Sequence, residues 1–228
     1  MGARFDAVLF DAGGVLVLPD PTVLSPLLAP YGGDPSVDAH RRAHYAGMAA
    51  KSRTGSSEWD WTAYNLAYVD SVGCRADIRE HAAEVLDHTR SAHLWRWAIP
   101  ETVAALAALA VRDVPMGVVS NASGQIEAVL RHTEICAVGE GCGVPMRVIV
   151  DSHVVGVAKP DPRIFDHALP HFDEFDRSRI AYVGDSVTMD VASASGAGLH
   201  PLLIDPYGDH DGADFETIRS VEDVVAMV

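Results

Sequence analysis

The sequence contains few cysteines, few lysines and no long apolar run. Its three cysteines, Cys74, Cys136 and Cys142, are an odd number without a Cys-x-x-Cys pair, which argues against a disulfide scaffold and fits a reducing compartment. The longest apolar run, 103–111, has nine residues, about half of the roughly 18 that a membrane-spanning helix needs. Residues 1–6 contain no signal-type apolar region, so we expect a cytoplasmic protein without a membrane span.

Basic residues are also scarce. The 17 Lys and Arg residues against 32 Asp and Glu residues give a formal net charge of −15. Proteins recognise nucleic acid and anionic membranes through clustered Lys and Arg, so we expect neither as a partner. Only two of the basic residues are lysines, Lys51 and Lys159. The sequence makes no prediction of oligomeric state.

Short apolar runs alternate with helical patterns along most of the chain. The runs are continuous rather than alternating, which indicates strands buried on both faces, as in a parallel sheet. They lie at residues 7–10, 116–119, 147–150, 180–183 and 201–204. Helical patterns cover residues 100–112, 123–131 and 187–194, and Ser123 is a suitable N-cap for the second of them. This alternation predicts an α/β fold with a doubly wound, Rossmann-like parallel sheet.

One long segment breaks the alternation. From about Pro19 to Trp97 no strong strand is visible, and helices are predicted near residues 22–29, 35–52, 58–72 and 75–93. We therefore expect an α/β core formed by residues 1–18 and 98–228, and a smaller helical cap formed by residues 19–97. Such a cap would lie beside the carboxyl ends of the strands, where ligands bind. The glycine-containing segment 136–145 predicts an irregular loop.

Polar residues follow four of the predicted strands. Asp11, followed by Gly13-Gly14, ends the first strand, and Asp185 and Asp190 follow the fourth. Carboxylates gathered at one edge of a sheet suit Mg²⁺, which prefers oxygen ligands. An Asp before glycines is also typical of an ordinary turn, so this pattern alone leaves both interpretations open.

The other two strand ends are less specific. Ser120-Asn121 follows the second strand, where Ser would donate to a phosphate oxygen or would cap the next helix. Lys159 stands between Gly156 and Pro162 in a chain with fifteen arginines and one other lysine, which suggests that a compact point charge is needed there. Chance explains a single lysine equally well.

In this order and spacing, the four strand ends resemble those of the haloacid dehalogenase superfamily of hydrolases, and the resemblance covers nearly the whole chain. It implies that Asp11 is the nucleophile, that Ser120 and Lys159 hold the phosphoryl group, and that Asp185 binds Mg²⁺. It also implies a more distant or indirect metal role for Asp190 and a metal contact through the main-chain carbonyl of Gly13. Asn121 is grouped with the substrate-binding residues. The expected function is a Mg²⁺-dependent phosphatase of a small phosphorylated metabolite, acting through an aspartyl phosphate.

The chain departs from the family's phosphatases at one position. They usually carry a second Asp two residues after the nucleophile, which protonates the leaving alcohol, and here that position is Gly13. A missing general acid–base group costs about 10²–10⁴-fold in rate. Three explanations are open. A residue of the cap or a bound water replaces the acid, or the natural substrate has a good leaving group that needs none. In the third, the protein binds phosphate with little turnover and has a regulatory role.

A second alternative is a metal-independent 2-haloacid dehalogenase, since that branch of the family also lacks the second Asp. It usually has Ser and Asn where this chain has Gly184-Asp185-Ser186, so Asp185 favours the metal-dependent phosphate site.

Other patterns in the cap carry weaker predictions. The four tryptophans, Trp59, Trp61, Trp95 and Trp97, either line a substrate pocket or pack the small helical domain, and packing is favoured. His40 and His44 have the spacing of one helical turn, but without a third ligand we interpret them as exposed helix positions.

Overall fold

A six-stranded parallel sheet forms the centre of the molecule in a computed structural model that describes residues 2–228. Its strands, in order across the sheet, are β10 (Thr217–Ile218), β9 (His200–Ile204), β8 (Ile180–Gly184), β1 (Ala7–Phe10), β4 (Met116–Ser120) and β7 (Ile149–Asp151). All neighbouring pairs are parallel. The register places Phe10 of β1 beside Val118 and Val183, so the strand ends next to β1 lie at one edge.

The sheet is buried on both faces. Val8 and Phe10 pack into one hydrophobic core, and their neighbours Ala7 and Leu9 pack into a second core on the opposite face. Successive side chains of a strand point to opposite faces, so a strand with a core on each side needs apolar residues at every position. The doubly wound α/β fold expected from the continuous apolar runs is therefore confirmed.

Helices connect the strands. Five of them follow residue 99 of the chain: α5 (Pro100–Val111), α6 (Ile126–His132), α7 (Ser152–Val155), α8 (Ala192–Gly196) and α9 (Val221–Val225). A π-helical turn at Val187–Val191 leads into α8. Pro100 opens α5 at its first turn, where a missing N–H has no cost. Among the described residues, no helix is both long and apolar enough to cross a membrane.

The long segment forms a helical unit that we call the insertion (residues 20–94). It lies between β2 (Val17–Pro19) and β3 (Trp95–Ala98) and contains α1 (Pro21–Leu28), α2 (Val37–Arg53), α3 (Thr62–Ser71) and α4 (Arg79–Thr89). These helices share a third hydrophobic core, with Leu24, Tyr64 and Tyr68 among its most deeply buried members. The insertion therefore has an interior of its own beside the parallel sheet.

Three local expectations were wrong. Strand β3 lies at the end of the segment expected to have no strong strand, because it pairs antiparallel with the distant β2. The segment expected to be an irregular loop contains β5 (Cys136–Val138) and β6 (Val144–Met146), which pair with each other. Helix α6 begins at Ile126 rather than at Ser123, and the carboxylate of Asp151 accepts from backbone N–H groups there. The first and third differences arise from partners distant in the sequence, whereas β5 and β6 pair across a connection of only five residues.

Candidate active site

Three strand ends bring the predicted site residues together. Asp11 follows β1, Ser120 ends β4, and Asp185 follows β8, and these three strands are adjacent in the sheet. The ends of adjacent parallel strands meet at the same edge, which is where open α/β sheets bind ligands. All three side chains are buried and line one cavity of about 500 Å³.

Lys159 lies at the centre of this group and is only 2% exposed. Its Nζ lies 3.0 Å from Oδ1 of Asp11 and 2.6 Å from Oδ1 of Asp190. It also donates to the hydroxyl of Tyr182 at 2.8 Å. One ammonium thus bridges two buried carboxylates, the arrangement by which proteins usually hold buried charge.

Asn121 fixes the loop that carries Lys159. Its side-chain oxygen accepts from the Lys159 backbone N–H at 2.8 Å, and its amide donates to the Lys159 carbonyl at 3.0 Å. This paired contact positions the lysine, and direct binding of substrate by Asn121 stays a prediction.

The carboxylates carry more negative charge than Lys159 neutralises. The pKa of Asp11 is raised to about 7, chiefly by burial; Lys159 opposes this effect, and the nearby Asp190 and Asp185 reinforce it. Burial likewise raises the pKa of Asp185. Burial disfavours the ammonium of Lys159, but the carboxylates of Asp11 and Asp190 outweigh this effect and raise its pKa. The site is therefore one that an additional cation would stabilise.

The three carboxylates suit a divalent ion. One oxygen from each of Asp11, Asp185 and Asp190 lies within 4.8 Å of the other two. Oxygen donors at a cleft, with room for water, are what Mg²⁺ prefers. Asp190 is the most fully used of the three, because its Oδ2 accepts from the backbone N–H groups of Asp185 at 3.1 Å and Ser186 at 2.9 Å. The residues present thus fit Mg²⁺, with Asp11 and Asp185 better placed than Asp190 to contact it.

The insertion contributes a residue that the sequence did not reveal as part of the site. His44 of α2 is 1% exposed, and its Nε2 lies 2.9 Å from Oδ2 of Asp185, while Nδ1 lies 3.0 Å from the hydroxyl of Tyr64. The neighbouring Tyr45 donates to the carbonyl of Gly14 at 2.8 Å. The expectation that His40 and His44 are exposed was wrong, since both are buried. The one sequence signal for His44 was its spacing of one helical turn from His40.

The two glycines after Asp11 differ in what surrounds them. Gly14 has φ of +70°, and a Cβ there would lie 1.8 Å from Oδ2 of Asp185, so only glycine fits beneath the His44–Asp185 contact. Gly13 is not in the left-handed region. A Cβ at Gly13 would instead meet the indole ring of Trp95, at 3.2 Å from Cδ1 and 3.3 Å from Nε1. Trp95 therefore stands over the position where related phosphatases carry their acid.

The cavity has walls from both the sheet edge and the insertion. The insertion side includes Lys51, Trp59, Trp61 and Arg90, and Trp95 of β3 adjoins them. Of the four tryptophans, Trp97 lies in the β2–β3 pair and packs against the sheet's core. Packing was the favoured interpretation of the group, and it holds for Trp61, Trp95 and Trp97, which pack against hydrophobic cores. Trp61 and Trp95 line the cavity as well, as does Trp59, which is 87% exposed.

Comparisons with known proteins give the chain's relationships. The model of the haloacid dehalogenase-like hydrolase family matches residues 5–198. The pyrimidine 5′-nucleotidase YjjG of Escherichia coli is 46% identical over 52 residues, which are 23% of this chain and 23% of that protein. The chain therefore matches well under two thirds of the length of this curated relative.

Solved structures of similar fold cover nearly the whole chain. The HAD-hydrolase YfnB of Bacillus subtilis, bound to magnesium, has a TM-score of 0.58 and 17% identity, with 98% of each chain covered. The 2-haloacid dehalogenase of Pseudomonas syringae has a TM-score of 0.53 and 21% identity, covering 97% of this chain and 98% of that one. At these identities the likeness establishes the fold alone.

Proposed function

The chain belongs to the haloacid dehalogenase-like hydrolase family, and from the geometry of its site we propose that it is a Mg²⁺-dependent phosphatase acting on a small phosphorylated metabolite. The observation that carries the proposal is the buried cluster of Asp11, Asp185 and Asp190 around Lys159. A halide-releasing site does not need three carboxylates. A phosphate monoester and a carboxylate nucleophile, in contrast, repel each other unless cations neutralise both.

The nucleophile in this proposal is Asp11. One of its carboxylate oxygens attacks phosphorus, the bond from phosphorus to the leaving oxygen breaks, and an aspartyl phosphate forms, which water then hydrolyses. Lys159, 3.0 Å from Oδ1 of Asp11, offsets charge on both the nucleophile and the phosphoryl group. Ser120 lies near enough to Asp11 to lower the pKa of that carboxyl, and its hydroxyl would hold a phosphoryl oxygen at the same edge.

The metal would be held by Asp11, by Asp185 and by the main-chain carbonyl of Gly13. When bound, Mg²⁺ supplies Lewis-acid stabilisation of the negative charge on the phosphoryl oxygens. Asp190 has an indirect role, because its oxygens already accept from Lys159 and from backbone N–H groups. It holds Lys159 and the turn after β8 in position.

Position 13 offers no group that can protonate the leaving alcohol. The indole N–H of Trp95, which lies over this position, donates hydrogen bonds but does not ionise near neutral pH. We therefore propose that the preferred substrates have leaving groups that depart as stable anions, as those of aryl and acyl phosphates do. Such leaving groups need no proton from the enzyme, so these substrates can turn over although position 13 lacks a carboxylic acid.

The remaining proposals concern organisation and location. We propose that residues 19–97 act as a cap on a core of residues 1–18 and 98–228, supported by the separate hydrophobic core of the insertion and by its walls in the cavity. A cytoplasmic location is proposed because Cys74, Cys136 and Cys142 are free thiols.

Phosphate release from a panel of phosphorylated sugars, nucleotides, phenyl phosphate and acetyl phosphate, with Mg²⁺ and with EDTA, tests the proposal. We expect EDTA-sensitive release that is fastest from phenyl and acetyl phosphate. Halide release from a 2-haloacid in EDTA would instead identify the metal-independent dehalogenase. Phosphate binding without turnover of any ester would identify a binding or regulatory protein.

A further inference from the structure

Two cations of the insertion line the cavity that also contains the phosphoryl-binding edge. Lys51, in α2, and Arg90, at the end of α4, line the same cavity as Asp11 and Lys159. Both lysines of the chain therefore line one cavity, although they are distant in the sequence. The proposed phosphatase chemistry uses only Lys159, so the position of Lys51 and Arg90 requires another explanation.

Lys51 is a buried ammonium without a carboxylate partner. Its side chain is 2% exposed, donates to the carbonyl of Glu58 at 2.9 Å, and lies 3.7 Å from the ring centre of Trp61. Within residues 2–228, no ion pair includes it. Lysines are almost never fully buried unless they are paired, so this one has capacity for an anion.

Arg90 repeats the pattern beside it. Its guanidinium lies 4.0 Å from the ring centre of Trp61 and donates to the side-chain oxygen of Asn65, while its buried Nε has no hydrogen-bond partner. No ion pair in the described part of the chain includes Arg90 either. Trp61 thus lies against two cations, which keeps both close to the cavity wall.

The acidic residues near these cations do not compensate them. Glu58 and Asp87 also line the cavity, and Glu58, with smaller contributions from Asp60 and Asp185, favours the charged form of Lys51. Burial is the larger effect, however, and with the neighbouring Arg90 it lowers the pKa of Lys51. Burial also lowers the pKa of Arg90, in spite of Asp87. Neither cation is therefore paired with a carboxylate of the described chain, although Glu58 and Asp87 line the same cavity, whereas three carboxylates cluster with the ammonium of Lys159 at the sheet edge.

We infer that Lys51 and Arg90 form a second anion subsite, which takes a carboxylate or phosphate group at the far end of the substrate. The inference rests on the proposed function and narrows it to phosphate monoesters with a second anionic group. Trp59, Trp61 and Trp95 line the space between the two ends, so a flat apolar or aromatic part suits the middle of such a substrate.

Calorimetry with phosphonates, which cannot be hydrolysed, tests the subsite without relying on turnover. The wild-type protein with Mg²⁺ is titrated with phenylphosphonate, 4-carboxyphenylphosphonate and 1,4-phenylenebisphosphonate. We expect at least one of the doubly anionic ligands to bind about tenfold or more tightly than phenylphosphonate, as one charge-assisted hydrogen bond would give. The stronger of the two identifies the preferred distal group. Equal affinity for all three ligands would overturn the inference.

Substitutions test whether Lys51 and Arg90 cause the preference for doubly anionic ligands. The affinity ratio is the affinity for the stronger doubly anionic ligand divided by that for phenylphosphonate. Lys51→Met and Arg90→Gln should each reduce this ratio about 10-fold or more, and Lys51→Arg should largely retain it. Arg53→Met, on the exposed part of α2, and Arg79→Gln, on exposed α4, are the matched controls and should keep the wild-type ratio. If Lys51→Met weakens all three ligands by the same factor, Lys51 only supports Trp61 and the subsite is refuted.

The same ligands separate this inference from the proposed function. Turnover of 4-carboxyphenyl phosphate and phenyl phosphate reports on the phosphatase, whereas the phosphonate ratio reports on the subsite. A retained ratio without any turnover would support the subsite and refute the phosphatase. Turnover together with equal affinities for the three phosphonates would support the phosphatase and refute the subsite.

Discussion

Nε2 of His44, in the insertion, lies 2.9 Å from Oδ2 of Asp185, at the edge of the parallel sheet, and the two residues are 141 positions apart in the chain. The contact is buried, and the glycine at position 14 leaves the space for it. It joins the helical insertion directly to a carboxylate proposed to bind the metal. The position of the insertion and the geometry of the metal site are therefore linked through one hydrogen bond.

Replacing His44 tests this link. His44→Phe removes the hydrogen bond to Asp185, and we expect Mg²⁺ affinity to fall about 10–100-fold, the usual effect of losing a group that orients a metal ligand. His44→Gln keeps an N–H donor and should recover most of the affinity. Calorimetric Mg²⁺ titrations measure both, and equal affinity in His44→Phe and the wild-type protein would contradict the link.

The nucleophile is tested by Asp11→Asn. This variant keeps the shape of the side chain but removes the attacking oxygen, and we expect phosphate release to fall by roughly 10³-fold or more. Asp173→Asn, at an exposed carboxylate that does not line the cavity, is the matched control. Near wild-type turnover of phenyl phosphate by Asp11→Asn would show that the assigned mechanism is wrong.

The role of Asp185 has a thermodynamic signature. Asp185→Asn removes one of three buried carboxylates, so Mg²⁺ binding should weaken while the metal-free protein becomes more stable. Burial raises the pKa of Asp185, which means that its ionised form opposes folding at neutral pH. Mg²⁺ titrations and urea unfolding in EDTA check the two effects. Unchanged Mg²⁺ affinity would remove Asp185 from the metal site.

Whether an Asp introduced at position 13 can act as the general acid depends on the ring of Trp95. The backbone at position 13 is outside the left-handed region, and the Trp95 ring, 3.2 Å from a Cβ there, is the neighbour that must move. We expect Gly13→Asp alone to gain little on ethyl phosphate. The Gly13→Asp/Trp95→Leu double variant should gain up to about 10²–10⁴-fold, the range of a general acid.

Rates on ethyl and phenyl phosphate, with Trp95→Leu as the control, decide this prediction. A wild-type protein that already prefers ethyl phosphate, with no gain in the double variant, would mean that another group supplies the proton.

His40 should make stability depend on pH. It is buried against the hydroxyl of Tyr68 at 2.8 Å, and burial lowers its pKa from 6.5 in spite of the nearby Asp34. The unfolded chain therefore binds a proton more readily than the folded one, so stability is full above pH 6.5 and falls as the pH decreases through the folded-state pKa.

Urea unfolding of the wild-type protein and of His40→Gln, between about pH 5 and 8, measures this effect. The wild-type protein should lose more stability on acidification than the variant does. Parallel curves for the two proteins would show that His40 does not titrate differently on folding.

The sequence by itself determined the parallel sheet and the residues at its edge. Continuous apolar runs require burial on both faces, and the ends of adjacent parallel strands must meet, so Asp11, Ser120 and Asp185 could be brought together by local pattern alone. For Lys159, in a loop, rarity was only an indication that chance explained equally well, and its role came from the family resemblance.

The tertiary structure alone decided what the insertion brings to that edge. His44 against Asp185, Trp95 over Gly13, and the pair of Lys51 and Arg90 beside Trp61 all depend on how the helices sit relative to the sheet. A helical pattern fixes which residues share a face, but not which distant surface that face covers. These contacts join segments separated by many residues, and their geometry arises from packing rather than from local sequence preference.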